Sequence, residues 1–517
     1  MASESFSFRA IVKSAFSNWF GLLANVLIVL CTTPYIIHHL GSVSYGIWAL
    51  ALQITGYLGI FDAGVRSSVV RFVAKHTGEN NEDAVTETIS VAVIVHSFIG
   101  LVGVAVAALV AVFGVHLLHV SHEMLGLART TIFIAGLTIA ISFPFGVYVA
   151  SLVGLGRYAE KNVIEVAFVV LRTAVVIGAL MRGHGLIALA LIQLVCTALS
   201  GATSAAYLYK LLPFVHIRWT FKNVELIRQM FSHSLYALLI SAANRLNYEV
   251  DSIVIAAFLP IEEVTFYFLG FRLLSYLRDF ANATTQVAIP LTSRLSGPEQ
   301  GRDLHKVLNT GSKYTLLVTY PITIVLLFCG GDFLTLWVGP SYAKRALPVL
   351  IVLAVTQFFS LTQYIPTHML YGSGKHRMNV WCTAIEGIIN LGASILLVRP
   401  FGITGVALGT AISVVSMRGI VFPILFAKLF NTTARAFVRE AVLPLLVPSV
   451  ISSLALYLLR RGMTGTSWPR LLLEIVVGLV CFALPGWLIT LNGEDRQRFR
   501  GLLRHGARTS DAVVVSV

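Results

Sequence analysis

Long apolar runs, separated by short polar or glycine-rich breaks, follow one another along almost the whole chain. A helix needs about 20 mostly apolar residues to cross the hydrocarbon core of a bilayer. Fourteen runs of about this length can be marked, near 16–37, 43–62, 89–113, 131–153, 163–181, 185–208, 232–258, 263–290, 314–337, 346–370, 379–398, 403–427, 440–459 and 468–491. Strands of an outer-membrane barrel alternate apolar and polar residues instead. The pattern therefore predicts an all-α polytopic membrane protein with about 14 transmembrane helices.

Composition supports this prediction. Of the 517 residues, 56% are apolar and only 12% are charged, and the mean hydropathy is +0.82. The charged share is about half of that in ordinary soluble proteins, which excludes a soluble enzyme and a disordered chain. The five cysteines lie scattered inside apolar runs without the spacing of metal ligands. We therefore expect no metal site, no cofactor and no catalytic group.

The net charge of +14 raises the question of a nucleic-acid partner. The basic residues, however, recur in short clusters between the apolar runs, as in the cytoplasmic loops of membrane proteins. If the N-terminus is cytoplasmic, about 25 of the 38 Lys and Arg residues fall on the cytoplasmic side. We expect an N-in/C-in topology and no nucleic-acid partner. Two of the cytoplasmic clusters are Arg66/Arg71/Lys75 and Lys428/Arg435/Arg439.

Three sets of residues recur at offsets of 217 to 219 positions: Gly154-Leu-Gly156-Arg157 with Gly372-Ser-Gly374-Lys375, Gly185–Leu191 with Gly402–Leu408, and Asn25 and Thr32 with Asn244 and Asp251. The offset corresponds to six helices, an even number, which predicts two parallel six-helix lobes related by a pseudo-two-fold axis along the membrane normal. The predicted domains are an N-terminal lobe (1–210), a C-terminal lobe (211–430), helices 13 and 14 (431–491) and a basic cytoplasmic tail (492–517).

Several predicted spans carry polar side chains, which must find a partner or face a cavity in a membrane. The eighth run has one polar stripe at helical spacing, formed by Arg272, Ser275, Tyr276, Asp279, Asn282 and Gln286. Other polar positions are Asn25 in the first run, Glu165 and Arg172 in the fifth, Asn244, Arg245, Glu249 and Asp251 in the seventh, and Glu386 in the eleventh. One interpretation is that these residues form buried pairs between helices. We favour a water-filled cavity for the charged residues of the seventh and eighth runs.

Two glycine-rich stretches resemble the polysaccharide-transporter proteins: Pro34-Tyr-Ile-Ile-His-His-Leu-Gly41-Ser-Val-Ser-Tyr45-Gly46-Ile-Trp48 with Phe61-Asp62-Ala-Gly64, and Tyr371-Gly372-Ser-Gly374-Lys375 with Phe401-Gly402-Ile-Thr-Gly405-Val-Ala-Leu-Gly409-Thr410. The chain looks like an O-antigen-type lipid-linked oligosaccharide flippase of the multidrug/oligosaccharidyl-lipid/polysaccharide exporter superfamily. The resemblance implies two six-helix lobes, a central cavity, alternating access and the bacterial inner membrane. It also implies a polyisoprenyl-diphosphate-linked oligosaccharide as cargo, with membrane lipids and the pathway's polymerase and glycosyltransferases as partners.

Given such a cargo, the polar residues of the spans divide into two sets of candidates. Arginines can neutralise phosphate in bidentate geometry. The candidates for cargo binding in the cavity are Arg245, Arg272, Arg172, Asn25, Asn244 and Tyr276. The candidates for proton or sodium coupling are Asp251, Glu249, Asp279, Glu165 and Glu386, although each could instead be the counter-ion of an arginine.

Three other functions stay open. A multidrug or organic-cation antiporter of the same superfamily would favour an acidic cavity and usually twelve helices. A flippase for the peptidoglycan lipid precursor would also have a basic cavity. A membrane glycosyltransferase or ligase would need acids, bases or metal ligands on a sizeable outer loop, and the longest predicted outer loop, 114–130, offers only His116, His119, His122 and Glu123.

Overall fold

The structure is a computed structural model that describes residues 8–219, 242, 245, 247, 249–286, 288–294, 301–430, 432–463, 465–491, 493, 496 and 497. This part of the chain is helical and contains no strand, which confirms the all-α prediction. The α-helices are α1 (Phe8–Leu58), α2 (Ile60–Gly78), α3 (Glu82–Val112), α4 (Leu125–Gly154), α5 (Tyr158–Met181), α6 (Leu186–Leu211), α7 (Val250–Phe258), α8 (Glu262–Thr285), α9 (Ala288–Arg294), α10 (Gly301–Val338), α11 (Pro340–Ser360), α12 (Tyr364–Gly372), α13 (His376–Val414), α14 (Phe422–Leu429), α15 (Ala434–Phe437), α16 (Leu446–Gly462) and α17 (Trp468–Pro485).

Ten helical segments in the described part of the chain are long and apolar enough to cross a membrane. Two of them contain a sharp break, in α1 at Gly41 (φ 77°, ψ 168°) and in α13 at Gly402 (φ 59°, ψ −141°). Glycine adopts positive φ values without the steric penalty that a β-carbon brings. The breaks fall between the first and second predicted runs and between the eleventh and twelfth.

Large apolar side chains cover the outside of these helices. Leu101 on α3 and Leu396 on α13 are 68% and 77% exposed, and many other leucines, isoleucines and valines are exposed as well. Apolar surface on this scale is not found on soluble monomers, whereas lipid tails accommodate it. The chain is therefore a multi-pass membrane protein.

The described residues pack as two compact units. Unit 1 comprises those within Met1–Tyr276, Ser341–Leu353 and His376–Val414, and unit 2 comprises those within Leu277–Pro340, Ala354–Lys375 and Val415–Val517. The division into lobes at residues 210 and 430 stays a prediction.

The start of α3 is capped, and its later part packs closely against α4 within unit 1. Asn81 caps α3, because its Oδ1 accepts a hydrogen bond from the backbone N–H of Ala84 at 3.0 Å. Further along α3, a β-carbon at Gly100 would lie 2.6 Å from the carbonyl oxygen of Ala140 on α4. Small residues thus let the backbones of α3 and α4 approach closely, as is typical of helix pairs in membranes.

Unit 2 combines an apolar core with a buried ion cluster. Leu316, Leu456 and Phe482 are core residues from α10, α16 and α17. Beside them, Arg460 Nη1 lies 2.9 Å from Asp332 Oδ2 and 2.9 Å from Glu474 Oε2, and Arg470 Nε lies 2.8 Å from Glu474 Oε1. The Glu474 side chain is 0% exposed. These charges connect the same three helices that form the core.

Candidate anion-binding cavity

A polar cavity of unit 1 has a volume of about 700 Å³. Its walls come from α1, α2, α4, α5 and α6, and polar side chains from each of these helices line it: Asn25, Arg66, Ser142, Lys161, Asn162, Glu165, Arg172, Thr197 and Ser200. A neighbouring cavity of about 390 Å³ shares Asn25 and Arg172 with it and adds Thr32, Thr33, Gln193 and Arg272. All of these lining residues belong to unit 1.

Positive charge predominates among the described residues that line the two cavities, which include four cations and one carboxylate: Arg66, Lys161, Arg172, Arg272 and Glu165. Lys161 Nζ lies 2.7 Å from Glu165 Oε2, one turn further along α5. This pair neutralises itself, and the other charged residues described in the lining are Arg66, Arg172 and Arg272. An arginine in the middle of a span costs about 2.5–3.5 kcal/mol on insertion scales. Arginines in such places face water or an anion, so the cavity suits an anionic ligand.

Arg172 and Asn25 lie where the two cavities meet. Arg172 Nη1 donates a hydrogen bond to Gln193 Oε1 on α6 at 2.7 Å, which ties α5 to α6 and orients the guanidinium. Asn25 comes from the first half of α1 and lines both cavities. The structure therefore brings together two of the residues that the sequence suggested for cargo binding.

Arg272 lies on α8 in the wall of the smaller cavity. Its Nε donates a hydrogen bond to the Tyr276 hydroxyl at 3.1 Å, and its guanidinium carbon is 4.8 Å from the centre of the Tyr276 ring. These contacts hold the guanidinium against an aromatic face. The predicted polar stripe thus joins Arg272 to Tyr276. Asp279, the next member of the stripe, has an exposed side chain and belongs to unit 2.

Arg245 and Glu249 pair with each other. Arg245 Nη1 lies 2.5 Å from Glu249 Oε2, and the Tyr57 hydroxyl donates to the Arg245 carbonyl oxygen at 3.3 Å. Neither charged residue is among those that line the two cavities. Their contacts favour the interpretation of Glu249 as the counter-ion of an arginine. Asn244 lies outside the described residues.

Asp251 lies in a separate network that links α7, α8 and α13. The carboxylate is 1% exposed and accepts hydrogen bonds from the hydroxyl of Tyr267, from Asn390 Nδ2 at 3.2 Å and from Thr410 Oγ1 at 3.0 Å. Glu386, one turn before Asn390 on α13, is also buried. A buried carboxylate surrounded by oxygen and amide groups can hold a proton or a hard cation.

Among the charged lining residues described, Arg66 and Lys161 are the two that the sequence did not suggest. Arg66 counted there only as a member of a cytoplasmic cluster. In the structure its guanidinium lies against Gly146, where a β-carbon would collide with Nη2. No spacing along the chain relates position 66 to position 146. The pairing of Lys161 with Glu165, in contrast, is a four-residue spacing that a helical interpretation of α5 could have used.

A family model described as polysaccharide biosynthesis protein matches residues 11–296, more than half of the chain. A Shigella flexneri protein named for O-antigen transport is 23% identical over 423 residues, which are 78% of this chain and 95% of that relative.

Two solved structures share the fold. The lipid II flippase MurJ in an inward closed conformation aligns with a TM-score of 0.73 at 15% identity, over 95% of this chain and 100% of that chain. A multidrug resistance transporter of the MATE family in an outward-facing conformation aligns with a TM-score of 0.59 at 17% identity, over 82% of this chain and 95% of that chain.

Proposed function

The chain belongs to the polysaccharide biosynthesis protein family, and on that premise we propose that it is a flippase. Its cargo is a polyisoprenyl-diphosphate-linked oligosaccharide, which it moves across the cytoplasmic membrane by alternating access for cell-surface polysaccharide synthesis. The observation that carries this proposal is the pair of neighbouring cavities of unit 1, whose described lining residues include four cations and one carboxylate. The chain acts on the lipid-linked oligosaccharide as a transporter and not as an enzyme, beside the polymerase and glycosyltransferases of the same pathway.

The cavity chemistry fits this cargo. A diphosphate bearing a bulky glycan cannot enter hydrocarbon unaided, because its charges would lose their hydration. Arginine offers two parallel N–H donors to a phosphate. At an effective dielectric constant of about 20, one such charge pair at 4 Å is worth about 4 kcal/mol. Arg172 and Arg272 would hold the diphosphate, while Asn25 and Tyr276 would contact polar groups of the cargo.

The same charges argue against the main alternative. A carrier of organic cations needs carboxylates in its cavity, and among the described lining residues the one carboxylate, Glu165, is paired with Lys161. A flippase for the peptidoglycan lipid precursor would also carry a diphosphate. The MurJ fold makes it the second candidate, and the chemistry of the accumulating lipid would distinguish the two.

We infer fourteen transmembrane helices in two parallel lobes, with both termini in the cytoplasm. Dividing α1 and α13 at their glycine breaks raises the ten candidate segments to twelve. The seventh and eighth predicted runs supply two more. The repeat gains support from two matching turns, in which Gly156 after α4 and Gly374 after α12 have φ values of 75° and 71°.

Ion coupling is proposed at Asp251, because its carboxylate is buried among hydrogen-bonding groups of three helices. The ion is a proton or a sodium ion. Glu386 is a second candidate in the same unit. Glu249 and Glu165 are better explained as counter-ions of Arg245 and Lys161.

The proposed function can be tested in a strain that lacks the gene, complemented with variants of the chain. The measurement is the fraction of lipid-linked oligosaccharide accessible at the outer face of spheroplasts. We expect Arg272→Ala to reduce this fraction about tenfold or more at normal membrane abundance, because a charged hydrogen bond to phosphate is lost. Arg272→Lys should restore it only partly, since lysine lacks the planar fork.

The matched control is Arg182→Ala, which removes an exposed arginine just after α5 that lines neither cavity. Normal export by Arg272→Ala would reduce Arg272 to a structural partner of Tyr276. Accumulation of the peptidoglycan precursor in the deletion strain, with unchanged oligosaccharide lipids, would overturn the proposed cargo.

A further inference from the structure

A second groove lies on unit 2 and shares no lining residue with the cationic cavities of unit 1. Its volume is about 560 Å³. Apolar side chains form most of its lining, and two arginines complete it: Ile420, Pro423, Ile424, Val438, Leu443, Arg435 and Arg439. Ile420 and Leu443 are 57% and 50% exposed, so the groove opens to the outside of unit 2. In a membrane protein, an apolar opening of this kind faces lipid.

The two arginines lie at one end of a candidate span. One candidate membrane span ends at Leu429 and the next begins at Ala434, so Arg435 and Arg439 follow closely after the turn between them. They are four residues apart and thus lie on one side of the helix. Both side chains are exposed, and no ion pair joins either of them to another described residue. The adjacent carboxylate, Glu440, instead accepts a hydrogen bond from Asn309 Nδ2 at 2.5 Å.

Both walls of the groove have an irregular backbone. The segments Val415–Val421 and Val438–Val442 are π-helical, and Ile420 and Val438 project from them into the groove. A π-helix is rare and wider than an α-helix, and it occurs often at functional sites. Two such segments facing one groove indicate a surface shaped for a ligand, not for tight helix packing.

We propose that this groove binds an anionic phospholipid of the surrounding membrane. The phosphate lies between Arg435 and Arg439, and an acyl chain follows the apolar wall past Ile424. Charge complementarity carries the assignment, because two cations at a membrane surface beside an apolar groove match a ligand with an anionic head and an apolar tail. In the proposed topology the headgroup comes from the cytoplasmic leaflet. The cargo cavity contributes no lining residue, so this lipid is a separate ligand.

Native mass spectrometry of the purified full-length chain tests this proposal. Phosphatidylglycerol and phosphatidylcholine with identical acyl chains are titrated separately. We expect a phosphatidylglycerol adduct that Arg435→Ala/Arg439→Ala weakens about tenfold or more, because each basic side chain near an anionic membrane surface strengthens binding about fivefold. Ile424→Trp should also weaken the adduct, since it fills the acyl channel and leaves both charges in place.

The matched control is Arg182→Ala/Arg377→Ala, which removes two exposed arginines at the ends of other helices. It should bind phosphatidylglycerol as the wild type does. Equal loss in the two double variants would overturn the proposal, since binding would then follow net charge alone. Equal binding of phosphatidylcholine, or displacement of the lipid by inorganic phosphate alone, would also overturn the proposal. Preferential displacement by undecaprenyl phosphate would overturn it as well, because the groove would then bind a polyisoprenyl chain.

Discussion

Because residue 146 is a glycine without a β-carbon, the guanidinium of Arg66 has room to lie against it in the cavity wall. A β-carbon there would collide with Nη2, which is the far end of a flexible side chain. We therefore predict that Gly146→Ala leaves the fold intact, moves Arg66 and lowers export of lipid-linked oligosaccharide severalfold. The measurement is the spheroplast accessibility assay together with membrane abundance.

Gly126→Ala, on the same helix, is the control. A β-carbon at position 126 meets no atom within 4 Å, so export should stay unchanged. Both variants replace glycine by alanine in a helix, which by itself stabilises a helix by about 0.8–1.0 kcal/mol. A difference in export between them would therefore report on Arg66. Equal export would mean that Arg66 does not contribute to cargo binding.

The sequence predicted the contact between two side chains where both lie on one helix at helical spacing. Arg272 and Tyr276 are four apart, and the structure joins them as the polar stripe indicated. Arg172 stands out because an arginine inside an apolar run needs a polar environment. Arg66 could not be found in this way, since its contact with Gly146 depends on how α2 packs against α4.

The C-terminal helices α16 and α17 are fixed to α10 by charge as well as by apolar packing. Glu474 is fully buried between Arg460 and Arg470. Glu474→Ala would leave both arginines without this carboxylate, and removing one partner of a buried ion pair typically costs about 3–5 kcal/mol. We predict a loss of this size in the free energy of unfolding, measured by SDS titration of the purified protein.

Glu160→Ala is the comparison, because Glu160 pairs with Arg157 at 3.1 Å on the surface. Exposed pairs of this kind contribute about 0–1 kcal/mol. Glu474→Gln keeps the side-chain size and should fall between wild type and Glu474→Ala. If Glu474→Ala and Glu160→Ala lose the same stability, the cluster does not hold the three helices together.

The local sequence predicted where helices break better than it predicted how helices contact each other. The predicted interruptions near residues 40 and 400 correspond to Gly41 and Gly402, because glycine permits the positive φ at which each helix breaks. The π-helical segments around residues 415–421 and 438–442 were not predicted. Their apolar sequence does not differ from that of an ordinary span, and packing decides their conformation.

At the scale of the whole molecule, the sequence predicted the class of protein because fourteen apolar runs leave few alternatives. It did not predict the division into units, since each unit combines separate stretches of the chain. Contacts between distant segments determine that division, and no local pattern indicates them. The relation between the two predicted lobes therefore needs an experiment of its own.

The proposed parallel repeat makes Asn25 and Asn244 equivalent positions, 219 residues apart. If two lobes rock about a central cavity, these positions should face each other near the middle of the membrane. We predict that cysteines placed at both positions, in a chain without its five native cysteines, are joined by a short bifunctional reagent that blocks export. A longer flexible reagent should inhibit less, because the lobes can still part. If neither reagent joins the pair, or if the joined protein still exports, then the two lobes do not move about a cavity at these positions. The seventh and eighth predicted runs would then not form the wall of such a cavity.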